Sequence, residues 1–388
     1  MRAATLRRLW LNVHLWIGVG LAVLLIPISI SGGLLVWNDE IDALLNPQRY
    51  AVTGAQVALP PGTYLAKASE AVANDPGDLR ATVLRYPGTG GPVRVMARAQ
   101  SREGGGPPRI VTVFLDPPTA AVLDVMEFRS SFIGFLHVFH ENLTLPQYNG
   151  RQVVGWAGVG MLILSLTGIW LWWPRNVSSL ASWLRGLRWA RSPQFTFNLH
   201  HLLGFWIALP LAAVSLTGIY LSFPQTAREA MSSVATLSPN ARGGFGGEIV
   251  RQTALTADRA LDIARQAEPN ANPLTLVLPV QQRGEGARGA AWRIQLTRAD
   301  SGEAVTVMID DRRGSAAPTI VPQSGDHAAS WIRWIHEGSH SGPLWAIIVF
   351  LTGVFPTIFA ITGVMMWLRK RAGRRAVKCG AAQFRPAE

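Results

Sequence analysis

Histidine is the residue type in this chain whose placement most suggests chemistry. Seven of its eight histidines lie at or near the ends of long apolar segments: His14, His137, His140, His200, His201, His336 and His340. Around His14 the chain reads Asn-x-His-x-x-x-Gly, and the same phrase recurs around His200. An ionisable side chain inside an apolar segment is costly and is usually retained for a function. Two such side chains in equivalent phrases predict a shared ligand.

A second pair of histidines repeats in the same way. Phe139-His140-Glu141 is matched by Ile335-His336-Glu337. Imidazole is a good ligand for haem iron, and helix bundles build cofactor sites from side chains on facing helices. We therefore predict two b-type haems, one held by His14 and His200 near one membrane face and one held by His140 and His336 near the other. The chain has one cysteine, Cys379, and no Cys-x-x-Cys-His motif, so covalent c-type haem is excluded.

Three neighbouring histidines are secondary candidates. His201 lies about 100° from His200 on a helix, so the two rings cannot face one iron, and the match with His14 favours His200. His137 precedes His140 by three residues and His340 follows His336 by four, spacings that place each pair on one helical face. We expect these three as alternative ligands, propionate contacts or access residues. Glu141 and Glu337 are either hydrogen-bond partners of the ligating rings or solvated surface residues.

A zinc site is the competing interpretation. His336-Glu337-Gly338-Ser339-His340 matches His-Glu-x-x-His, in which two histidines hold zinc and the glutamate activates water. Gly338 weakens the helix that this motif requires, and the chain offers no third ligand beyond it until Glu388. The other half of the chain does not repeat the motif. Haem is therefore the favoured cofactor.

Four apolar blocks without Asp, Glu, Lys or Arg must position these residues. Each is long enough to cross a bilayer core as a helix, which takes about 20 residues. The first is too long for a signal peptide and has no cleavage site before Asn38, so we interpret it as an uncleaved anchor. The predicted segments are the cytoplasmic N-terminus with the first span (1–37), an outer module (38–149), the second span (150–174), a cytoplasmic loop (175–194), the third span (195–223), a second outer module (224–341), the fourth span (342–368) and a basic cytoplasmic tail (369–388).

Charge placement sets the expected orientation. The formal net charge is +12, and basic residues dominate the N-terminus, the short loop and the tail. The positive-inside rule then makes both termini cytoplasmic and places the two long segments on the outer side of the membrane. Membrane topology explains the arginine-rich tracts, and aromatic belts explain the tryptophans. We therefore expect no nucleic acid as a partner.

The two outer segments have matching patterns. Each predicts one helix, around 64–73 and 256–267, followed by a meander of strands separated by Gly- and Pro-rich turns. The spans repeat as well, since Ser31-Gly32 matches Thr217-Gly218 and Thr167-Gly168 matches Thr362-Gly363. We predict a membrane α-helical fold: a four-helix transmembrane bundle formed by tandem duplication, with two α+β modules and a pseudo-twofold axis along the membrane normal.

This plan resembles the PepSY-associated transmembrane helix family over nearly the whole chain. The resemblance is carried by the His-x-x-x-Gly opening of spans one and three, the Thr-Gly of spans two and four, and the span-module-span duplication. Within the family the chain is most similar to the haem-containing, inner-membrane ferric-siderophore reductases of Gram-negative bacteria. The resemblance implies PepSY modules at roughly 50–124 and 255–310, and supports His14, His200, His140 and His336 as the haem ligands.

The expected function is an oxidoreductase that carries electrons across the membrane and reduces a ferric siderophore in the periplasm. The chain contains no Gly-x-Gly-x-x-Gly that leads from a strand into a helix and no Walker motif, so we expect electrons from quinol or from a separate soluble flavin or NAD(P)H reductase. The alternative is a non-enzymatic PepSY membrane protein that binds or regulates a periplasmic protease or assists a transporter. The alternative predicts no chromophore.

Overall fold

The computed structural model describes residues 3–88, 90–99, 109–173, 195–238, 248–250, 252–281 and 290–383. The predicted cytoplasmic loop, 175–194, lies outside the described residues. The chain divides into two compact units. The first consists of 1–37, 136–229 and 330–388, and the second of 38–135 and 230–329.

The described residues form ten α-helices and nine strands. The helices are α1 (Ala3–Leu35), α2 (Asn38–Leu45), α3 (Pro61–Ala71), α4 (Phe132–Asn142), α5 (Gly150–Trp172), α6 (Phe195–Ser222), α7 (Pro224–Val234), α8 (Ala257–Ala267), α9 (Ser324–Glu337) and α10 (Gly342–Gln383). The strands are β1 (Leu79–Arg85), β2 (Val93–Ala99), β3 (Ile110–Leu115), β4 (Val122–Glu127), β5 (Glu248–Ile249), β6 (Ala271–Val277), β7 (Val280–Gln281), β8 (Ala291–Arg298) and β9 (Ala304–Asp310).

Among the described residues of the first unit, four helices are long and apolar enough to cross a membrane. The qualifying parts are Thr5–Leu35, Gly150–Trp172, Phe195–Ser222 and Gly342–Arg374. These spans belong to α1, α5, α6 and α10, and they indicate a membrane protein. The last helix continues past the predicted end of its span at residue 368 to Gln383.

The four helices pack as a ring. α1 packs along α10 and also against α5, while α6 packs along α5 and also against α10. α1 and α6 therefore occupy opposite corners of the bundle. Glycines permit the closest approach, because a Cβ on Gly353 of α10 would lie 2.6 Å from Cα of Gly33 on α1. Small residues at such crossings let helix backbones meet in a membrane.

The second unit contains one antiparallel sheet of seven strands in the order β4-β3-β2-β1-β6-β8-β9, and a separate two-stranded pair, β5-β7. The sequence predicts two modules, each with its own meander. The structure instead joins the two meanders, because β1 pairs with β6 through Val83–Val277, Leu84–Leu276 and Arg85–Thr275. A strand at a sheet edge exposes unpaired backbone groups, and pairing β1 with β6 removes one such edge from each meander.

The two predicted helices of the outer segments share one core with this sheet. α3 and α8 pack together, and the Asp258 carboxylate accepts a 2.7 Å hydrogen bond from the Gly62 amide near the N-terminus of α3. Fully buried side chains from both halves of the chain fill a single hydrophobic cluster, including Tyr64, Leu84, Val113, Leu276, Trp292 and Ile309. The two modules are therefore one packed unit rather than two separate ones.

Candidate cofactor sites

His14 and His200 face each other within the helix bundle. His14 lies on α1 and His200 on α6, the helices at opposite corners. Their ring centroids are 6.3 Å apart and their ring planes are inclined at 79°. We call this arrangement the inner pair.

His140 and His336 form a second pair in the same unit. They lie near the ends of α4 and α9, the short helices that precede α5 and α10. Their ring centroids are 6.1 Å apart, with an interplanar angle of 40°. We call this arrangement the outer pair. The structure thus places His14 beside His200 and His140 beside His336, as the sequence predicts.

In the inner pair, each ring is fixed by a threonine hydroxyl. His14 Nδ1 lies 2.8 Å from Oγ1 of Thr167 on α5, and His200 Nδ1 lies 2.8 Å from Oγ1 of Thr362 on α10. Each hydroxyl donates its own proton to a helix carbonyl, that of Ile163 or Ile358. A hydroxyl has one proton, so it must accept from the ring. Nδ1 is therefore the protonated nitrogen, and Nε2 keeps its lone pair.

In the outer pair, the same tautomer follows from main-chain acceptors. His140 Nδ1 lies 2.9 Å from the carbonyl oxygen of Ile28 on α1, and His336 Nδ1 lies 3.0 Å from that of Val214 on α6. A carbonyl can only accept, so both rings donate through Nδ1. Hydroxyls lie nearby in supporting positions, with Ser31 Oγ 3.4 Å from His140 Nδ1 and Thr217 Oγ1 3.2 Å from His336 Nδ1.

A glycine follows each of these serine or threonine residues, and the edge of the histidine ring lies against that glycine. A Cβ on Gly32 would lie 2.5 Å from Cε1 of His140, and one on Gly218 would lie 2.8 Å from Cε1 of His336. At the inner pair the corresponding separations are 3.6 Å for Gly168 from His14 and 3.8 Å for Gly363. A Ser/Thr-Gly dipeptide on a neighbouring helix therefore holds each histidine, and we call these four dipeptides the hydroxyl-glycine clamps: 31–32, 167–168, 217–218 and 362–363.

The geometry of both pairs suits a metal bound between two imidazoles. Two rings bonded through nitrogen at about 2 Å to opposite sides of one metal have centroids about 6 Å apart. Metal-ligating histidines usually donate their other ring N–H to a fixed acceptor, as all four rings do through Nδ1. Desolvation lowers the pKa of His140 and lowers the pKa of His336 to about 4. Both rings of the outer pair are therefore neutral at pH 7, which is the protonation state that binds a metal.

The secondary histidines occupy other surroundings. His201 stacks on Phe197, with centroids 5.5 Å apart, and lies beside Trp172. His137 is exposed on α4, one turn before His140. His340 is exposed and stacks on Trp334, with centroids 3.9 Å apart and an interplanar angle of 15°. The rings of His201 and His340 are thus packed against other aromatic side chains.

The helix required by the zinc motif does not form. α9 ends at Glu337, and Gly338 and His340 have positive φ values of 75° and 68°. The prediction that His336 and His340 share a helical face is therefore wrong, because Gly338 ends the helix as its conformational freedom allows. Among the described residues, no group of three His, Cys, Asp or Glu side chains is arranged to hold a bare metal ion.

The two candidate carboxylates have other partners. Glu141 pairs with Arg151 at 3.1 Å, and Glu337 pairs with Arg333 at 3.1 Å. The ring Nδ1 groups donate to hydroxyls and carbonyls instead, so of the two alternatives that the sequence leaves open for Glu141 and Glu337, the role as hydrogen-bond partners of the rings is wrong. The sequence does contain the signal for the real partners, since the four Ser/Thr-Gly dipeptides repeat in register with the histidines. Sequence spacing alone does not link each dipeptide to its histidine, because the two lie more than a hundred positions apart in the chain.

Comparison with known proteins supports one family. A family model described as PepSY-associated TM region matches residues 11–370. A search of curated proteins gave no match.

Proposed function

The chain belongs to the PepSY-associated TM region family, and from this premise we propose that it is a b-type dihaem oxidoreductase of the bacterial inner membrane. It takes electrons on the cytoplasmic side and reduces a ferric siderophore in the periplasm. The observation that carries this proposal is the presence of two histidine pairs, with centroids 6.3 and 6.1 Å apart and every Nδ1 engaged by a fixed acceptor.

His14 and His200 would hold one haem through Nε2, and His140 with His336 would hold the other. The haems would supply one-electron redox chemistry, which a closed-shell protein side chain does not provide. The protein's own contribution is ligation and orientation. The Nδ1 proton is held by the Thr167 and Thr362 hydroxyls at the inner pair and by the Ile28 and Val214 carbonyls at the outer pair. This hydrogen bond raises the basicity of Nε2.

The positions of the two pairs along the helices support transfer across the bilayer. His14 and Gly32, the glycine that contacts His140, are 18 residues apart on α1, which is about 27 Å of helix. A bilayer core is about 30 Å thick. The two pairs therefore belong near opposite faces, which is where electron entry and exit are required.

The orientation is inferred from charge. Arg7 and Arg8 precede the apolar part of α1, and Arg369, Lys370 and Arg371 follow that of α10. By the positive-inside rule these ends are cytoplasmic, so the second unit is periplasmic. Repetition of the histidines, clamps and outer helices in both halves supports a tandem duplication. Quinol or a soluble flavin or NAD(P)H reductase is the electron donor that fits this topology.

The substrate step is a one-electron reduction. The ferric ion of the chelate gains an electron and becomes ferrous, and the chelator is released unchanged. Hard oxygen donors bind the smaller charge of ferrous iron less tightly, so reduction frees the metal.

Reconstitution into sealed vesicles tests the proposal. Dithionite is trapped inside, and ferric chelate with a ferrous-specific dye is placed outside. We expect the wild-type protein to develop the dye colour, and His14→Ala and His140→Ala each to abolish it, because each variant removes one of two sites in series. An unchanged rate in both variants, or a colourless protein after expression with ample haem, would contradict the proposal and favour the non-enzymatic alternative.

A further inference from the structure

Arg151 is the only charged residue of α5, and α6 has no Asp, Glu, Lys or Arg. Arg151 occupies the first turn of α5, where the predicted outer end of the span begins. The positive-inside rule concentrates arginine at the opposite ends of the spans, so membrane topology does not explain this residue. An ionisable side chain beside the hydrocarbon core is costly and is usually retained for a function.

The contacts of Arg151 place its guanidinium group beside both halves of the outer pair. Nη1 lies 3.1 Å from the carboxylate of Glu141, the residue after His140. Nη2 donates a 2.9 Å hydrogen bond to the carbonyl oxygen of Leu221 on α6. Leu221 lies about one helical turn after Gly218, which contacts the other ring of the outer pair. The guanidinium group therefore lies next to the segments that hold both rings.

The third nitrogen of Arg151 is a buried donor. Among the residues that the structure describes, no atom accepts a hydrogen bond from Nε. The same holds for the buried Oδ1 of Asn142, whose backbone carbonyl lies against Gly150. Leaving a buried donor of a charged group without an acceptor is costly. The junction between α4 and α5 therefore has hydrogen-bonding capacity that the described part of the chain does not use.

The ion pair with Glu141 does not prevent Arg151 from binding another anion. The side chains of Arg151 and Glu141 are 42% and 51% exposed. An exposed ion pair contributes little to stability, because water solvates both charges. A guanidinium group also has five N–H donors and can serve more than one acceptor. Arg151 can therefore bind a second carboxylate while Glu141 stays solvated.

We propose that Arg151 binds a propionate of the haem held by the outer pair. Haem carries its two propionates on one edge, and an ionised carboxylate in hydrocarbon is costly. That edge must therefore face the polar end of the bundle, where Arg151 lies. A charge-assisted hydrogen bond to the propionate would satisfy the buried Nε donor. The inference rests on the proposed function and adds to it a residue that orients the outer haem.

Titration of a chain with a single haem site tests this inference. Full-length His14→Ala protein in detergent, which keeps only the outer pair, is freed of haem and titrated with haemin and with haemin dimethyl ester, whose carboxylates are blocked. We expect Arg151→Gln to weaken haemin binding about tenfold, as loss of a charged hydrogen bond does, and to leave binding of the ester unchanged. Arg151→Lys should restore part of the haemin affinity, because the charge remains but the guanidinium geometry is lost. The reduction potential of the bound haem should fall in Arg151→Gln, since loss of a nearby cation favours the ferric form.

Arg333→Gln is the matched control. Arg333 pairs with Glu337 at 3.1 Å, as Arg151 pairs with Glu141, but the Arg333 side chain is 53% exposed. We expect haemin to bind Arg333→Gln as tightly as it binds the parent chain. Glu141→Gln breaks the ion pair of Arg151 and leaves its guanidinium group in place, so it should also keep the parent affinity.

Equal haemin affinity with and without Arg151 would overturn the inference. Equal losses for haemin and its ester would also overturn it, because they would show a structural role alone. A loss in Glu141→Gln as large as that in Arg151→Gln would assign the effect to the ion pair instead. A wild-type chain that binds no haem would contradict the proposed function itself.

Discussion

At the scale of single residues, the paired histidines differ in what fixes them. Side-chain hydroxyls of Thr167 and Thr362 accept from the inner pair, whereas main-chain carbonyls of Ile28 and Val214 accept from the outer pair. A hydroxyl can be removed by substitution and a carbonyl cannot. The inner pair should therefore respond to loss of a hydroxyl, while the outer pair should tolerate it.

Thr362→Val tests this difference. Loss of the hydroxyl leaves the Nδ1 proton of His200 without its 2.8 Å acceptor, and we expect the affinity of the inner haem to fall about 10- to 100-fold. The matched variant is Thr217→Val, where His336 keeps the Val214 carbonyl at 3.0 Å and haem affinity should remain close to that of the wild type. Haem titration of the apoprotein measures both. Equal losses in the two variants would argue against distinct roles for the hydroxyls.

Gly32→Ala tests the close approach of the outer pair. The new Cβ would lie 2.5 Å from Cε1 of His140, so the ring must move and the outer haem should be lost while the inner haem remains. Gly20→Ala on the same helix is the control, because nothing lies within 4 Å of its added Cβ. Haem content by pyridine haemochrome and the visible spectrum of each variant provide the measurement. Two haems retained in Gly32→Ala would show that the glycine is not needed by His140.

At the scale of elements, the crossing of α1 and α10 depends on two glycines. A Cβ on Gly353 would meet the Gly33 backbone at 2.6 Å and the Ser29 carbonyl at 2.7 Å. Neither neighbour is the end of a flexible side chain, so the helices must separate. This crossing holds α1, which carries His14 and the Ser31-Gly32 clamp.

Gly353→Ala should therefore destabilise the bundle by about 1–3 kcal/mol, the usual cost of overpacking. Gly373→Ala on the same helix should have little effect, since its Cβ would meet nothing within 4 Å. Thermal unfolding of both purified variants in the same detergent measures the difference. Identical midpoints would mean that the two helices separate at no cost.

The joined sheet makes its own prediction. Leu276 of β6 is fully buried opposite Leu84 of β1, in the core that both halves share. Leu276→Ala should cost about 2–5 kcal/mol and should lower amide protection in β2 and β3, although those strands belong to the first half of the chain. Hydrogen exchange with mass spectrometry resolves the strands. Loss of protection confined to β6, β8 and β9 would indicate two independent modules.

At the scale of the whole molecule, the periodicity and repetition of the sequence predict the elements and the paired histidines, but they do not predict all of the contacts between elements. Uninterrupted apolar runs predict the four spanning helices, and matching phrases such as those around His14 and His200 identify the residues that meet. The pairing of β1 with β6 cannot be predicted from the sequence, because the alternation of apolar and polar residues in a strand does not specify which sheet edge the strand joins. The hydrogen bond between His200 and Thr362 escapes for a similar reason, since it depends on the helix arrangement and not on sequence spacing.

The measurement that tests the central claim most directly is a reduced-minus-oxidised spectrum of the purified protein with haem and protein quantified together. The two-pair arrangement predicts two low-spin b-type haems per chain in the wild type. It predicts one after His14→Ala and one after His140→Ala, each with a different remaining α-band, and none when both substitutions are combined. A wild-type chain with no haem, or single variants that both retain two, would contradict it.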